Sequence, residues 1–260
     1  ASMARVPMAM TREESAYTMR LNRFLARSGV ASRRKSDELI ARGLVLVNGE
    51  VVDSLGASVD PQRDTIEYAG QLVCLPVECE YIVLNKPAGC VVTRSDTHGR
   101  PTVFDLLGSQ RLGTMPVGRL DMDTTGLLLW TDDGELAFRL LHPRYVVDKV
   151  YEAVVRGRPS EEKLQTLREG IELDDGPTSP AQVEVICCEG SGYKIEARVR
   201  ICIHEGRKRQ VRRMLRTVGH PVRTLKRVEF AGLTLEGLKE GTHRALSVEE
   251  TRALRTQVGL

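Results

Sequence analysis

Apolar residues follow a helical period near the start of the chain and an alternating one soon after. Leu21, Phe24 and Leu25 recur at helical spacing, and Gly29 supplies a stop. Ser32 or Ser36 then offers a cap for a second helix that runs through Leu39 and Ile40 and ends near Gly43. Val45, Val47 and Val51 alternate around Asn48-Gly49, the pair that favours a two-residue type I′ hairpin. Asp60-Pro61 predicts another turn, and Ile66–Tyr68 a further strand. From Leu75-Pro76 to Glu80 the pattern breaks as a linker would, because a new strand opens at Tyr81-Ile82-Val83-Leu84.

Beyond that point strands and helices mix without a regular alternation. Residues 127–130 are apolar enough for a buried strand. Asp132, with Glu135 three residues on, fits a capping box for a helix through Ala137, Leu140 and Leu141, closed by Pro143. Residues 149–155, 182–186 and 193–203 read as strands, and 161–167 as a helix. In 208–218, Val211, Met214, Leu215 and Val218 form one apolar stripe, with Gly219 and Pro221 just past the end. The expected fold class is α+β with a mixed, mostly antiparallel sheet. Residues 1–18, which lack periodicity, read as a flexible leader. Residues 19–77 form a small basic helix-strand module and 81–255 a larger second domain.

Composition narrows the class. The chain has 260 residues, 41% hydrophobic and 28% charged, enough to bury a core without disulfides or metals. Its apolar runs fall short of the ~18–20 residues of a membrane helix, and its first residues lack a secretory pattern. The six cysteines include no CxxC pair, and with five histidines they offer no zinc spacing. They read as free thiols in a reducing cytosol. A cytoplasmic chain with no metal and no membrane partner is expected.

The net charge of +3 conceals a segregation. Arg20, Arg23, Arg27, Arg33, Arg34, Lys35 and Arg42 are opposed only by Asp37 and Glu38. Between Arg207 and Arg227 stand nine basic residues and no acid. One such cluster could be a solvated helix face; two point to nucleic acid.

The segment from Gly118 to Leu127 gathers Asp121, Asp123, Thr124 and Thr125 into a polar loop that runs into the apolar strand. It reads equally as a catalytic loop on a rigid sheet and as a turn whose Asp side chains bond their own backbone. A glycosidase pair is disfavoured, because two carboxylates two residues apart on an extended segment do not bracket a substrate. A carboxylate kept ionised in a closed site calls for a nearby arginine. Arg212 flanks the apolar stripe of 208–218 and leans toward the core, though a plain phosphate contact would also use it. Tyr151 sits on a strand, where it is either core or a platform for a nucleobase.

Four motifs together resemble the bacterial ribosomal-RNA pseudouridine synthases of the small-subunit/large-subunit uridine family. Arg20-Leu21-Asn22-Arg23-Phe24-Leu25 through Val47-Asn48-Gly49 resembles the alpha-L RNA-binding module that the family shares with a small-subunit ribosomal protein. Leu84-Asn85-Lys86-Pro87-Ala88-Gly89 resembles its first strand and turn. Gly118-Arg119-Leu120-Asp121 followed by Thr125-Gly126-Leu127-Leu128 resembles its signature. Glu205-Gly206-Arg207-Lys208-Arg209-Gln210-Val211-Arg212-Arg213-Met214 and the segment from Gly241 to Leu246 complete the likeness.

The resemblance implies a pseudouridine synthase domain that isomerises a uridine of ribosomal RNA. It makes Asp121 the catalytic aspartate, Tyr151 the residue stacked on the target uracil, and Arg212 the arginine paired with Asp121. Asp123, at a variable position, is left structural. RNA is expected on Arg20, Arg23, Arg33, Arg34, Lys35, Arg119, Arg207, Lys208, Arg209 and Arg213. The isomerisation needs no cofactor. The partner would be ribosomal RNA, as such or in an assembling subunit, and the enzyme a monomer. The run from Glu205 to Met214, with Gly99 to Asp105, is more like the large-subunit branch. A small-subunit substrate, or a non-catalytic assembly factor, stays as an alternative, and Asp121 is open either to attack the anomeric carbon or to remove a sugar proton.

Overall fold

The computed structural model describes residues 18–94, 96–108, 113–191 and 194–260. The expected leader, Thr18 apart, and Tyr193 lie outside the described residues. The chain divides between Val77 and Glu78 into two compact units.

In the first unit, β1 (Met19–Arg20) leads into α1 (Leu21–Arg27) and α2 (Arg33–Ala41), followed by β2 (Val45–Val47), β3 (Glu50–Val51), β4 (Ser58–Val59), β5 (Ile66–Tyr68) and β6 (Gln71–Val73). The last strands form an antiparallel sheet in the order β3-β2-β5-β6, while β1 pairs with β4. Leu21, Phe24, Leu25, Leu39, Ile40, Val45 and Ile66 meet in its core. Asn48 and Gly49 both have positive φ, +54° and +82°, as a type I′ turn requires. Of the two serines offered as caps, Ser32 accepts from the Lys35 backbone N–H, whereas Ser36 is buried inside α2.

The second unit starts with β7 (Tyr81–Lys86), α3 (Val103–Leu107), β8 (Met115–Pro116), β9 (Thr124–Thr131), α4 (Gly134–Leu141) and β10 (Lys149–Arg156). It continues through α5 (Glu161–Glu169), the small pair β11 (Glu172–Leu173) and β12 (Gly176–Pro177), then β13 (Gln182–Glu189), β14 (Glu196–Ile203) and α6 (Gln210–Thr217). It ends with β15 (Val222–Phe230), β16 (Leu233–Thr234), β17 (His243–Ala245) and α7 (Val248–Gln257). The main sheet has the order β13-β14-β10-β15-β9-β7-β17. Every pairing in it is antiparallel except β15 with β9, which is parallel.

Strands β7 and β9 are buried on both faces, which is why they read as continuous apolar runs. Period-2 alternation sorts their side chains. Val83, Leu127 and Leu129 pack with Leu136 and Leu140 of α4 and Leu254 of α7. Ile82, Leu84, Leu128 and Trp130 pack with Val103 and Leu107 of α3. A separate cluster joins β10, β13, β14 and β15 to Leu164 and Leu167 of α5 and to Val211, Met214 and Leu215 of α6.

Three local expectations shift. The N-cap of α4 is Asp133, which accepts from the Glu135 and Leu136 backbone N–H groups; Asp132 accepts instead from the Glu80 N–H. Helix α6 starts at Gln210, because Arg209 adopts a left-handed conformation at its N-cap. The segment after Gly118 is not extended at its two carboxylates: the Thr124 N–H donates to the Asp121 carbonyl and closes a turn.

Candidate active site

The turn from Asp121 to Thr124 is held by its backbone. Lys86, at the end of β7, is fully buried and donates to the carbonyls of Pro87 (2.9 Å), Met122 (3.3 Å) and Thr124 (2.9 Å). The Gly89 N–H donates to the Met122 carbonyl as well, at 2.9 Å. From the other side, Arg212 of α6 donates to the Asp123 carbonyl at 2.9 Å. Burial pulls the Lys86 ammonium below its ordinary range, and the nearby Asp123 and Asp121 pull it back. Sequence reading names Lys86 within the Leu84–Gly89 motif but gives it no role, although a lysine ending an apolar strand is the signal that points to one.

The strand that follows depends on one glycine. Gly126 has φ +106°, and a Cβ there would lie 2.2 Å from the Arg227 carbonyl oxygen on β15. Only glycine lets β9 approach β15 so closely.

The arginine expected on Asp121 reaches its neighbour. Arg212 is buried, and its Nη2 lies 3.2 Å from Asp123 Oδ2. Arg209 grips Asp123 from both nitrogens, Nη1 to Oδ1 and Nη2 to Oδ2, each at 3.0 Å. The Arg209 guanidinium holds the Asp123 carboxyl below the usual carboxylate range. Asp121 keeps one ion-pair contact among the described residues, Arg209 Nη1 at 4.0 Å from Oδ2. The physical reason is the turn, which carries Asp123 toward α6 and leaves Asp121 on the wall of a cleft.

That cleft has a volume of about 680 Å³, and Asp121, Arg119, Tyr151, Lys149, Arg207 and Arg227 are among the residues that line it. Tyr151 is half-buried on β10, packed where the α6-side and α3-side clusters meet. Burial and the neighbouring Arg227 push the Lys149 ammonium down to about 8. Lys208 is exposed and also lines the cleft.

Several expected RNA contacts are engaged within the protein. Arg213 makes a bidentate pair with Asp175 at 2.8 and 2.9 Å, and Arg207 reaches Glu205 and the carbonyl of Gly176. These acids lie outside the acid-free stretch and were invisible as partners. In the first unit, Arg20, Arg33, Arg34 and Lys35 are exposed and Arg23 is half-buried. Lys35 pairs with Glu38 at 2.6 Å.

Both units of the chain are similar to known proteins. A family model described as RNA pseudouridylate synthase matches residues 80–217, and an S4 domain model matches residues 19–64. An Aquifex aeolicus protein named as an uncharacterized RNA pseudouridine synthase is 44% identical over 93% of this chain and 96% of its own length. The Bacillus subtilis ribosomal large subunit pseudouridine synthase B is 45% identical over 91% of this chain and 95% of its own. A crystal structure described as a pseudouridylate synthase superposes with a TM-score of 0.65 at 32% identity, covering 91% of this chain and 99% of that one.

Proposed function

The chain belongs to the RNA pseudouridylate synthase family, and from that premise we propose that it converts a uridine of large-subunit ribosomal RNA to pseudouridine with Asp121 as the catalytic carboxylate. The observation that carries this reading is the pinned turn at Asp121, which lines the same cleft as Tyr151. The large-subunit substrate is supported by the relative from Bacillus subtilis and by the name of a second such relative, from Pseudomonas aeruginosa.

The target base leaves its stack and enters the cleft, at a cost of a few kcal/mol. Arg119 and Lys208, with the S4 unit's exposed Arg20, Arg33 and Arg34, supply phosphate contacts that offset it. Tyr151 stacks on the uracil. The bond between the sugar's anomeric carbon and N1 breaks, and Asp121 meets the electron-poor sugar by bonding to that carbon or by taking the adjacent C2′ proton. The base turns and rejoins through C5, whose proton passes to a base, a role we assign to the Tyr151 hydroxyl. Arg212 is a positioning residue, holding the Asp123 end of the turn. The enzyme works in the cytoplasm as a monomer, on free RNA or on an assembling subunit.

Tritium release from RNA labelled at uracil C5 tests the reading. Release is expected from large-subunit RNA, with Asp121→Asn abolishing it and leaving RNA affinity within about twofold. Release from small-subunit RNA alone overturns the substrate, and equal loss of binding and turnover in Asp121→Asn overturns its catalytic role.

A further inference from the structure

Arg227 is one of the cations lining the cleft that the chemistry above leaves unused. It is 3% exposed, yet no carboxylate among the described residues lies within ion-pair distance of it. Its Nε donates to the Leu127 carbonyl at 2.8 Å, which fixes the plane of the guanidinium. Its Nη2 is buried with no partner. The guanidinium carbon sits 5.0 Å from the ring centre of the buried Phe230, and Lys149 Nζ approaches the same ring at 5.8 Å. Lys149 spends its donors on the carbonyls of Val147 and His204, both at 3.0 Å. A buried charge without a counter-ion is costly, and an apolar side chain against Phe230 would avoid that cost.

Its place in the sheet says what the charge serves. Arg227 stands opposite Tyr151 of β10 in one register and beside Gly126 of β9 in the other. Strand β9 begins at Thr124, where the Asp121 turn ends. A uracil held between Tyr151 and Asp121 therefore lies over β15 at Arg227, and all three residues line the cleft.

We propose that Arg227 is a catalytic residue that hydrogen-bonds the uracil and stabilises its negative charge while it is detached from the sugar. This rests on the function proposed above. When the bond from the anomeric carbon to N1 breaks, its electron pair stays with the base and spreads over N1 and both carbonyl oxygens. The bond to C5 then forms from that pair, the C5 proton leaves to a base, and N1 takes up a proton, so nothing is oxidised or reduced. A donor fixed in advance favours this short-lived anion over the neutral bound uridine, which is the condition for raising a rate rather than an affinity.

The test is single-turnover loss of the target nucleoside, followed by nuclease digestion and chromatography, in RNA carrying uridine or 5-fluorouridine at the target. Fluorine makes the departing base more acidic and lessens its need for a stabilising cation. Arg227→Met should slow the uridine reaction by on the order of 100-fold and the 5-fluorouridine reaction by about tenfold, with RNA affinity unchanged. Arg227→Lys should recover most of the uridine rate, and it serves as the test variant should Arg227→Met not fold. An equal deficit on both bases would mean a structural role only and overturn the inference, as would an unimpaired Arg227→Met. A wild-type chain that consumes neither RNA overturns the proposed function itself.

Discussion

Lys86 shows how a single ammonium can organise a loop it does not belong to. Its three protons meet three carbonyls, whereas a neutral amine could serve only two. Lys86→Met would strand those carbonyls and is expected to cost about 3 kcal/mol in urea unfolding. It should also lower kcat more than it raises KM, because the turn that carries Asp121 loses its support. Lys149 offers a check by pH. Its folded pKa of about 8 lies below the ordinary lysine value of 10.5, so the unfolded chain binds more protons between those values. Its contribution to stability is therefore adverse below pH 8 and is relieved as the pH rises toward 10.5. The unfolding free energy of the wild type, measured relative to Lys149→Met, should rise across that interval by up to about 3 kcal/mol. A flat difference would show that Lys149 and Arg227 do not share a desolvated site.

Among the elements, the parallel contact of β9 with β15 is the least forgiving. Gly126→Ala would drive a methyl into the β15 backbone at a positive φ, and a loss of about 3 kcal/mol or more is expected from chemical denaturation. The compensating move, a shift of β15, would carry Arg227 away from the cleft, so turnover should fall further than stability alone explains. Elements with local signals were legible in the sequence: α1, α2 and the Asn48-Gly49 hairpin follow from periodicity and turn chemistry within a few residues. Strand β15 was not. Its residues, Val222–Phe230, carry four charged side chains among the apolar ones and were counted as part of a basic cluster. Helix α7 was missed because Leu254 is its one buried residue, although Ser247 and Glu250 form a capping box. The candidate site residues come from the resemblance and stand in three separate segments of the chain. Asp121, Tyr151 and Arg212 do adjoin one cleft or its supporting turn, but the partner of Arg212 is decided by a turn that no spacing reveals.

For the molecule as a whole, the two basic clusters prove different in kind. That of the first unit keeps Arg33 and Arg34 exposed, whereas several arginines after Glu205 are committed to Asp175 and Asp123. Replacing Arg33 and Arg34 with Ala should therefore weaken RNA binding and reduce the slope of log affinity against log salt by about 1.5. The turnover of bound RNA should be unchanged. A loss of turnover with the salt slope intact would place the first unit in the chemistry rather than in capture.

The sheet order also sets a timetable. Leu225 pairs with Thr124 across about 100 residues of chain, which a ribosome takes roughly 5–20 s to synthesise. Until Val222–Phe230 emerges, β9 and β10 have no common neighbour, and the residues that face one another across the cleft belong to unjoined halves. The strands that carry Tyr151 and follow Asp121 are thus joined only once Val222–Phe230 has been made.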